Sequence, residues 1–533
     1  MLRSPLRRPP RLRPFLPTRT PHILRSYASH PPSSNPLPTQ WKPDSSNEPS
    51  VLMDENYSKF TMFTVDFFRR LVKFSALGVL GLGVVTLSAF SGAHYWVESV
   101  GMAPEGDEEA RKWEWDKEMD RWSAGDAGGT DPALGMKGRH AARSAWIVQN
   151  WGLGNSAPVL ASKSGRGEGG LSVVEARLEY AQDFLSIALK LAEAKCKEGA
   201  LSQESLATLL ARHASILERM GTKNALFESR SQLERVWATL PGPGVDGARV
   251  AMKLGDLSKR LGDGEDALTW WAKAIQLTLP TSNQAEDLGP NPVVPTATPS
   301  SPSAQRTLAS TLVSLSAYYA TSGALRQAEA VEHSSLDLIR SIQQPASLAS
   351  ASPPQALHAL FLLHRSALLS IHLAEVLYGL RKPAVSSIEW LTRAAESSER
   401  VALALTGLPS IHPDAPESLI PHPPSSETGL LATYANSRSM KRPASSLLRD
   451  SRRSAAEAWN LMGVLYEGFE GGESKAKALE CYERALGWAG VAADRVGNIA
   501  EAGEGTLETE WKMLWGNYVR VRDAVRRESV QKK

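Results

Sequence analysis

Cysteine is almost missing from this chain: Cys196 and Cys481 are the only two among 533 residues. Two thiols cannot build a disulfide framework or a thiolate metal site. Catalytic signatures are missing as well. There is no His-Glu-x-x-His pair, no Gly-x-Ser-x-Gly elbow and no Walker A loop, so zinc-protease, α/β-hydrolase and P-loop chemistries lack their usual residues. His140 stands among arginines with no nucleophile or carboxylate at a telling spacing, and His364 and His372 lie eight residues apart on one expected helix. The glycine runs at 165–170 and 242–247 match a dinucleotide spacing, but neither follows a strand pattern. No enzyme activity, metal or cofactor is therefore expected. Net charge is also lacking: 60 basic residues face 57 acidic ones, for +3, which gives no general affinity for nucleic acid.

The small net charge hides a gradient. Residues 1–30 contain seven arginines and no acid; without them 53 basic residues face 57 acidic ones, a balance of −4. This Arg-, Ser- and Thr-bearing, acid-free start has the composition of a mitochondrial transit peptide. Its prolines leave little room for an amphipathic helix. Arg25-Ser26-Tyr27-Ala28 resembles the Arg-x-Tyr site of the matrix processing peptidase, with Arg25 and Tyr27 before the cut and Ala28 after it.

Residues 74–97 contain no Asp, Glu, Lys or Arg. Twenty-four such residues exceed what a ~30 Å hydrocarbon core requires. Tyr95 and Trp96 stand at one end, as interfacial aromatics do. Arg69, Arg70 and Lys73 precede the run, whereas residues 98–126 hold ten acids and four bases. By the positive-inside bias and a matrix-directed leader, the expected topology is a single pass through the mitochondrial inner membrane. The C-terminal part then lies in the intermembrane space.

Beyond the span, five of the fifteen tryptophans fall within residues 113–151, which suggests a folded aromatic neck. From residue 171 the apolar spacing is three and four, as in helices. Residues 248–281 carry Leu254-Gly255, then Ala267, Trp271 and Ala274, and close on Pro280: a tetratricopeptide (TPR) pattern. Leu315, Tyr319 and Ala328 fit a second repeat, with Glu332 at its aromatic position. Trp459, Gly463, Tyr466, Ala478, Tyr482 and Ala485 fit a third. Residues 202–241 and 364–400 form looser pairs, and 507–527 a terminal helix. In a TPR stack the first helix of each pair lines a groove; Arg249, Met252, Lys253, Asp256 and Asn460 are the expected groove residues, with Ser310, Val313, Ser314, Ala317 and Val464 beside them.

The expected fold is all-α: transit peptide 1–27, disordered matrix-side linker 28–70, transmembrane helix 71–97, acidic Trp-rich segment 98–170, and a TPR-like solenoid at 171–530. Pro/Ser-rich insertions at 281–303, 343–355 and 405–454 are expected to be disordered.

This order, with Gly128-Gly129-Thr130-Asp131-Pro132-Ala133-Leu134-Gly135 and Arg139-His140-Ala141-Ala142-Arg143-Ser144-Ala145-Trp146 in the neck, resembles the TPR-containing adaptor of the inner-membrane i-AAA protease of fungi. The resemblance implies a non-enzymatic receptor that binds unfolded or misassembled inner-membrane proteins and delivers them to that protease. Its expected partners are thus the protease and its unfolded substrates. The competing expectations are a scaffold or assembly factor for a respiratory-chain complex, or an outer-membrane import receptor.

Overall fold

A computed structural model describes residues 54–151, 158–160, 173–240, 244–279, 292–408, 429–469, 471–491 and 510–531. The transit-peptide residues Arg25, Tyr27 and Ala28 lie outside the described residues. The chain divides into two units, Met1–Gly83 and Val84–Lys533.

Within the first unit, helix begins at Asp54, the start of α1 (Asp54–Trp96). Residues 54–70 are therefore helical, not the disordered linker expected. Phe60, Met62, Phe63, Phe67 and Phe68 supply an apolar pattern that continues straight into the span. Met62, Phe63, Leu77, Val79, Leu80 and Leu82 are all exposed.

The second unit continues α1 into a π-turn, Val97–Gly101. Short helices follow: α2 (Glu108–Lys112) and 3-10 turns at Asp116–Glu118, Gly125–Ala127 and Pro132–Leu134. Next come α3 (Gly135–Trp151) and α4 (Ala176–Lys197). A three-residue antiparallel pair, Pro158–Leu160 with Val173–Glu175, is the only sheet among the described residues.

Five helix pairs follow. They are α5 (Gln203–Met220) with α6 (Lys223–Thr239), α7 (Val245–Leu261) with α8 (Gly264–Thr278), and α9 (Pro302–Thr321) with α10 (Leu325–Ser341). Then α11 (Pro353–Gly379) pairs with α12 (Ala384–Thr406). After the single turn α13 (Ala432–Ala435), α14 (Lys441–Glu467) pairs with α15 (Gly472–Trp488), and α16 (Glu510–Gln531) follows. The main packing is between helices one or two places apart in this order.

Local chemistry sets the boundaries. Gly221 closes α5 at φ +71° and the next residue, Thr222, caps α6 by accepting from Ala225 N. Gly262 closes α7 at φ +97°, a conformation glycine adopts without a Cβ clash. Ser301 caps α9, with Pro302 in its first turn, where a missing N–H costs nothing.

Two expected insertions are structured in part. The insertion at 405–454 contains α13 and the first half of α14. Of its prolines only Pro443 enters that helix, in the first turn, and Ala444, Leu447, Leu448, Ser451 and Ala455 recur at helical spacing and are buried. Helix α11 likewise starts at Pro353, inside the expected 343–355 insertion, and α9 at Pro302, inside 281–303. In both, proline opens the helix rather than breaking it. Residues 280–291 and 409–428 lie outside the described residues.

Two of the pairs interlock through a glycine facing an aromatic ring. A Cβ added at Gly255 would meet the Trp271 ring at 2.5 Å, and one at Gly463 would meet Tyr482 at 2.7 Å. At the same sixteen-residue separation as Gly255 and Trp271, the third pair places Ser316 against Glu332. Ser316 Oγ donates to Glu332 Oε1 at 2.8 Å. Glu332 is fully buried, and its second oxygen has no partner. Burial pushes its carboxyl up to about 8, and Glu375 and Glu329 add to the effect.

Gly255→Ala should lower stability by about 1–3 kcal/mol in urea unfolding, because the overpacking cost exceeds the helix-propensity gain of roughly 1 kcal/mol. Gly516→Ala on α16, where nothing lies within 4 Å of the new Cβ, should show only that gain. Equal midpoints for the two variants would mean that Trp271 moves aside freely.

Glu332 binds its proton more tightly folded than unfolded. Its contribution is therefore most favourable below its ordinary range and is lost as pH rises toward 8. Glu332→Gln should leave stability at pH 4 unchanged and raise it at pH 8 by about 1–3 kcal/mol. Parallel pH–stability curves for parent and variant would contradict this.

Candidate functional site

The acid excess after the span lies against the helix pairs. Residues 104–131 form a strap whose polar partners, in the contacts that follow, belong to the first helix of a pair or to the residues leading into it. Glu105 accepts from Ser439 N at 2.9 Å, and Pro104 O accepts from Arg438, both just ahead of α14. Glu114 accepts from Ser303 N at 2.9 Å and from the Ser301 hydroxyl, at the start of α9. A carboxylate there also meets the positive end of the helix dipole. Arg121 pairs with Asp246 on α7 at 3.6 Å, and Asp131 accepts from Ser205 Oγ on α5 at 2.7 Å.

The centre of the strap is held by buried arginines. Arg306, 2% exposed, donates to Trp113 O (3.1 Å), Glu114 O (2.9 Å) and Glu118 Oε1 (3.2 Å). Its guanidinium stacks 4.0 Å from the Trp115 ring. Trp115 is itself buried, and its indole N–H donates to Pro354 O on α11 at 2.9 Å. Arg249 on α7 donates to Glu118 Oε2 at 3.1 Å and to Lys117 O. Asp120 is bracketed by Arg212 of α5 and Arg442 of α14, so one carboxylate ties the first pair to the last.

Electrostatics follow from this enclosure. Burial pushes the Glu118 carboxyl up, but Arg249 and Arg306 outweigh it and hold it below the usual range. The balance at Asp120 has the same sign, set by Arg212 and Arg442. At Glu114, Lys117, Ser301 and Ser303 overcome burial and bring the carboxyl to about 2. Depressed folded values contribute stability above the ordinary carboxylate range and lose it as pH falls below it.

Around Glu98 the neck motifs form a collar. Glu98 accepts from Thr130 N (2.8 Å) and Thr130 Oγ1, and pairs with Arg139 (3.2 Å) and Arg143 (3.3 Å). Gly129, at φ +75°, lies so close that a Cβ would meet Glu98 Oε1 at 2.8 Å. Trp96, Trp146 and Trp151 make mutual ring contacts beside it. His140 packs between His94 and Phe90; burial and then the two arginines lower its basicity.

Among the residues expected in the TPR pattern, Leu254, Ala267, Trp271, Ala274, Leu315, Ala328, Ala478, Tyr482 and Ala485 are fully buried, and Tyr319 nearly so. Gly255 and Gly463 are buried, and Trp459 and Tyr466 half-buried. The expected groove residues divide. Arg249 holds the strap. Lys253 pairs with Glu218 at 3.6 Å, and Met252 is half-buried. Asp256 instead accepts from the Trp271 indole at 3.1 Å, and Asn460 accepts from Asn517 on α16 at 3.0 Å. These two bond to neighbouring helices and are not open groove surface, because a polar atom beneath a packed helix must find a partner there.

His364 Nε2 lies 3.1 Å from Ser454 Oγ, and His372 Nδ1 lies 3.0 Å from Ser316 Oγ. Burial lowers them to about 3 and about 4. The Cys481 thiol is pushed up to about 12 by burial, which suppresses the thiolate. Among the described residues no group of three or more His, Cys, Asp or Glu could hold a metal ion.

Arg212, Arg306 and Arg442, with Trp115, Glu118 and Asp120, were not picked out by sequence pattern. A signal existed nonetheless: Arg249, Arg306 and Arg442 stand near the N-terminal ends of their helices, where the dipole disfavours cations. Such placement asks for a nearby anion, and the acid-rich segment has only four bases against ten acids. No protein-family model and no curated protein matches the chain.

Arg306→Ala should destabilise the chain by about 3 kcal/mol or more, since it leaves buried Glu118 with Arg249 as its one remaining ion-pair partner among those described and strands two strap carbonyls. Adding Glu118→Gln should recover part of that loss. Denaturant unfolding of the two variants measures it; a double variant no better than the single one would mean that the ion pair is not the source of the cost.

Proposed function

We propose that this chain is a membrane-anchored, non-enzymatic adaptor whose helical array receives extended polypeptide. Two helices are long and apolar enough to cross a membrane, Met62–Gly101 and Pro353–Gly379. The second is mostly buried among its neighbours and is a core helix of the array. The first exposes its apolar side chains, which in water would be costly, and we assign it as the single span of the mitochondrial inner membrane. The acid-free leader supports the address, and the charge change across the span supports an intermembrane-space location for residues 98–533.

The observation that carries the adaptor reading is the strap itself: residues in or leading into the first helices of five consecutive pairs hold one acidic segment through side-chain and backbone hydrogen bonds. TPR solenoids use that face for peptides, and the near-neighbour packing of these pairs fits such an array. The proposed clients are unfolded or misassembled inner-membrane proteins, and the proposed recipient is the i-AAA protease, which would supply ATP hydrolysis and the catalytic metal.

The chain should co-purify with the AAA protease, and its deletion should slow turnover of a model inner-membrane substrate by severalfold. Unchanged turnover with loss of one assembled respiratory complex would sink this reading in favour of a scaffold. Protease added to intact mitochondria should leave the C-terminal part untouched; its digestion would overturn the topology.

A further inference from the structure

The strap joins an acidic surface to two tryptophans that anchor it. Its central residues, 107–126, carry eight acids against four bases. It meets the array through charged side chains and helix starts, and through Trp115 and Trp122, which enter the cores of the helix pairs. Its ends are exposed turns, around Gly106–Glu109 on one side and at Asp126 and Ala127 on the other. The segment between them can leave without threading the fold. Three features of the receiving face are specific. Trp115 fills a slot closed by the Arg306 guanidinium and the Pro354 carbonyl. Three residues on, Glu118 meets Arg249 and Arg306; two further on, Asp120 meets Arg212 and Arg442.

We propose that this face is a binding site for acidic, tryptophan-bearing peptides of the pattern Trp-x-x-Glu-x-Asp, and that residues 107–126, folded as short helical turns, occupy it in cis. The proposal rests on the adaptor reading and deepens it by naming what the receptor face recognises. A client segment with this pattern competes with the strap for the same arginines, so the free site is exposed only when the strap has left. Desolvated guanidinium–carboxylate pairs and the indole N–H bond provide the discrimination. A segment lacking the tryptophan leaves the Pro354 carbonyl unpaired, and one lacking the acids leaves four arginines without counter-charge.

The test uses the full chain, purified in detergent, with specific protease sites inserted at Gly106 and between Asp126 and Ala127. Cutting after folding turns the strap into a non-covalent peptide. A fluorescent synthetic peptide of residues 107–126 should then replace it at temperatures below the melting of the helices, as fluorescence anisotropy reports. Peptides carrying Trp115→Ala, or Glu118→Lys with Asp120→Lys, should compete about tenfold or more weakly. In a second arm without cutting, the chain carrying Glu118→Lys and Asp120→Lys should bind the parent peptide, and the unaltered chain should not. The proposal is overturned if the excised strap stays bound until the helices melt, if parent and altered peptides exchange alike, or if the uncut variant keeps its helicity yet ignores the peptide. Neither arm contains the AAA protease. A chain that exchanges the peptide while turnover is unchanged in a deletion strain would retain the site and lose the adaptor role.

Discussion

A guanidinium removed from water must be surrounded by acceptors, and Arg306 satisfies that requirement from the strap. Two strap carbonyls, one strap carboxylate and the face of one strap indole enclose it. The cost of leaving such a charge buried and unpaired exceeds the net gain from making the pair. Arg306 therefore binds α9 to the strap whatever the pair itself contributes. The same logic recurs at buried Arg212, whose partner Asp120 also meets Arg442, so the acidic segment is tied to helices from the first pair to the last.

Around that tie, helix pairs pack one against the next. Two of the pairs bring their helices together by placing a small residue under a large one, Gly255 under Trp271 and Gly463 under Tyr482. Where the third pair replaces this arrangement with Ser316 and Glu332, close packing is kept through a hydrogen bond. The carboxyl remains in its neutral form to a higher pH than usual because burial disfavours the charged form, with Glu375 and Glu329 adding to it. The repeat thus tolerates a change of chemistry at its interlock while the spacing is preserved.

Much of the helical organisation was legible because helix periodicity is local. The pairs at 248–281 and 456–488 follow from apolar spacing, glycine turns and closing residues that lie within a few turns of one another. Composition was a poorer guide where it averaged over a boundary. Pro443 belongs to a proline-rich stretch, yet it stands in the first turn of α14, where proline is tolerated, and the leucines beyond it are core. Residues 54–70 read as linker because charges interrupt them, although their aromatics continue the helix of the span.

The chain order of arginine-rich start, apolar run, acidic neck and helix pairs is determined by the sequence alone, since charge sign and hydrophobic period are properties of adjacent residues. The partners of the acids in the neck were decided only by the tertiary structure. Glu118 and Asp120 meet arginines that lie roughly 90 to 320 residues away, a separation over which no local pattern carries pairing information. For the same reason Arg249 was recognisable as facing inward, but what it faces, a segment of its own chain, required the folded array.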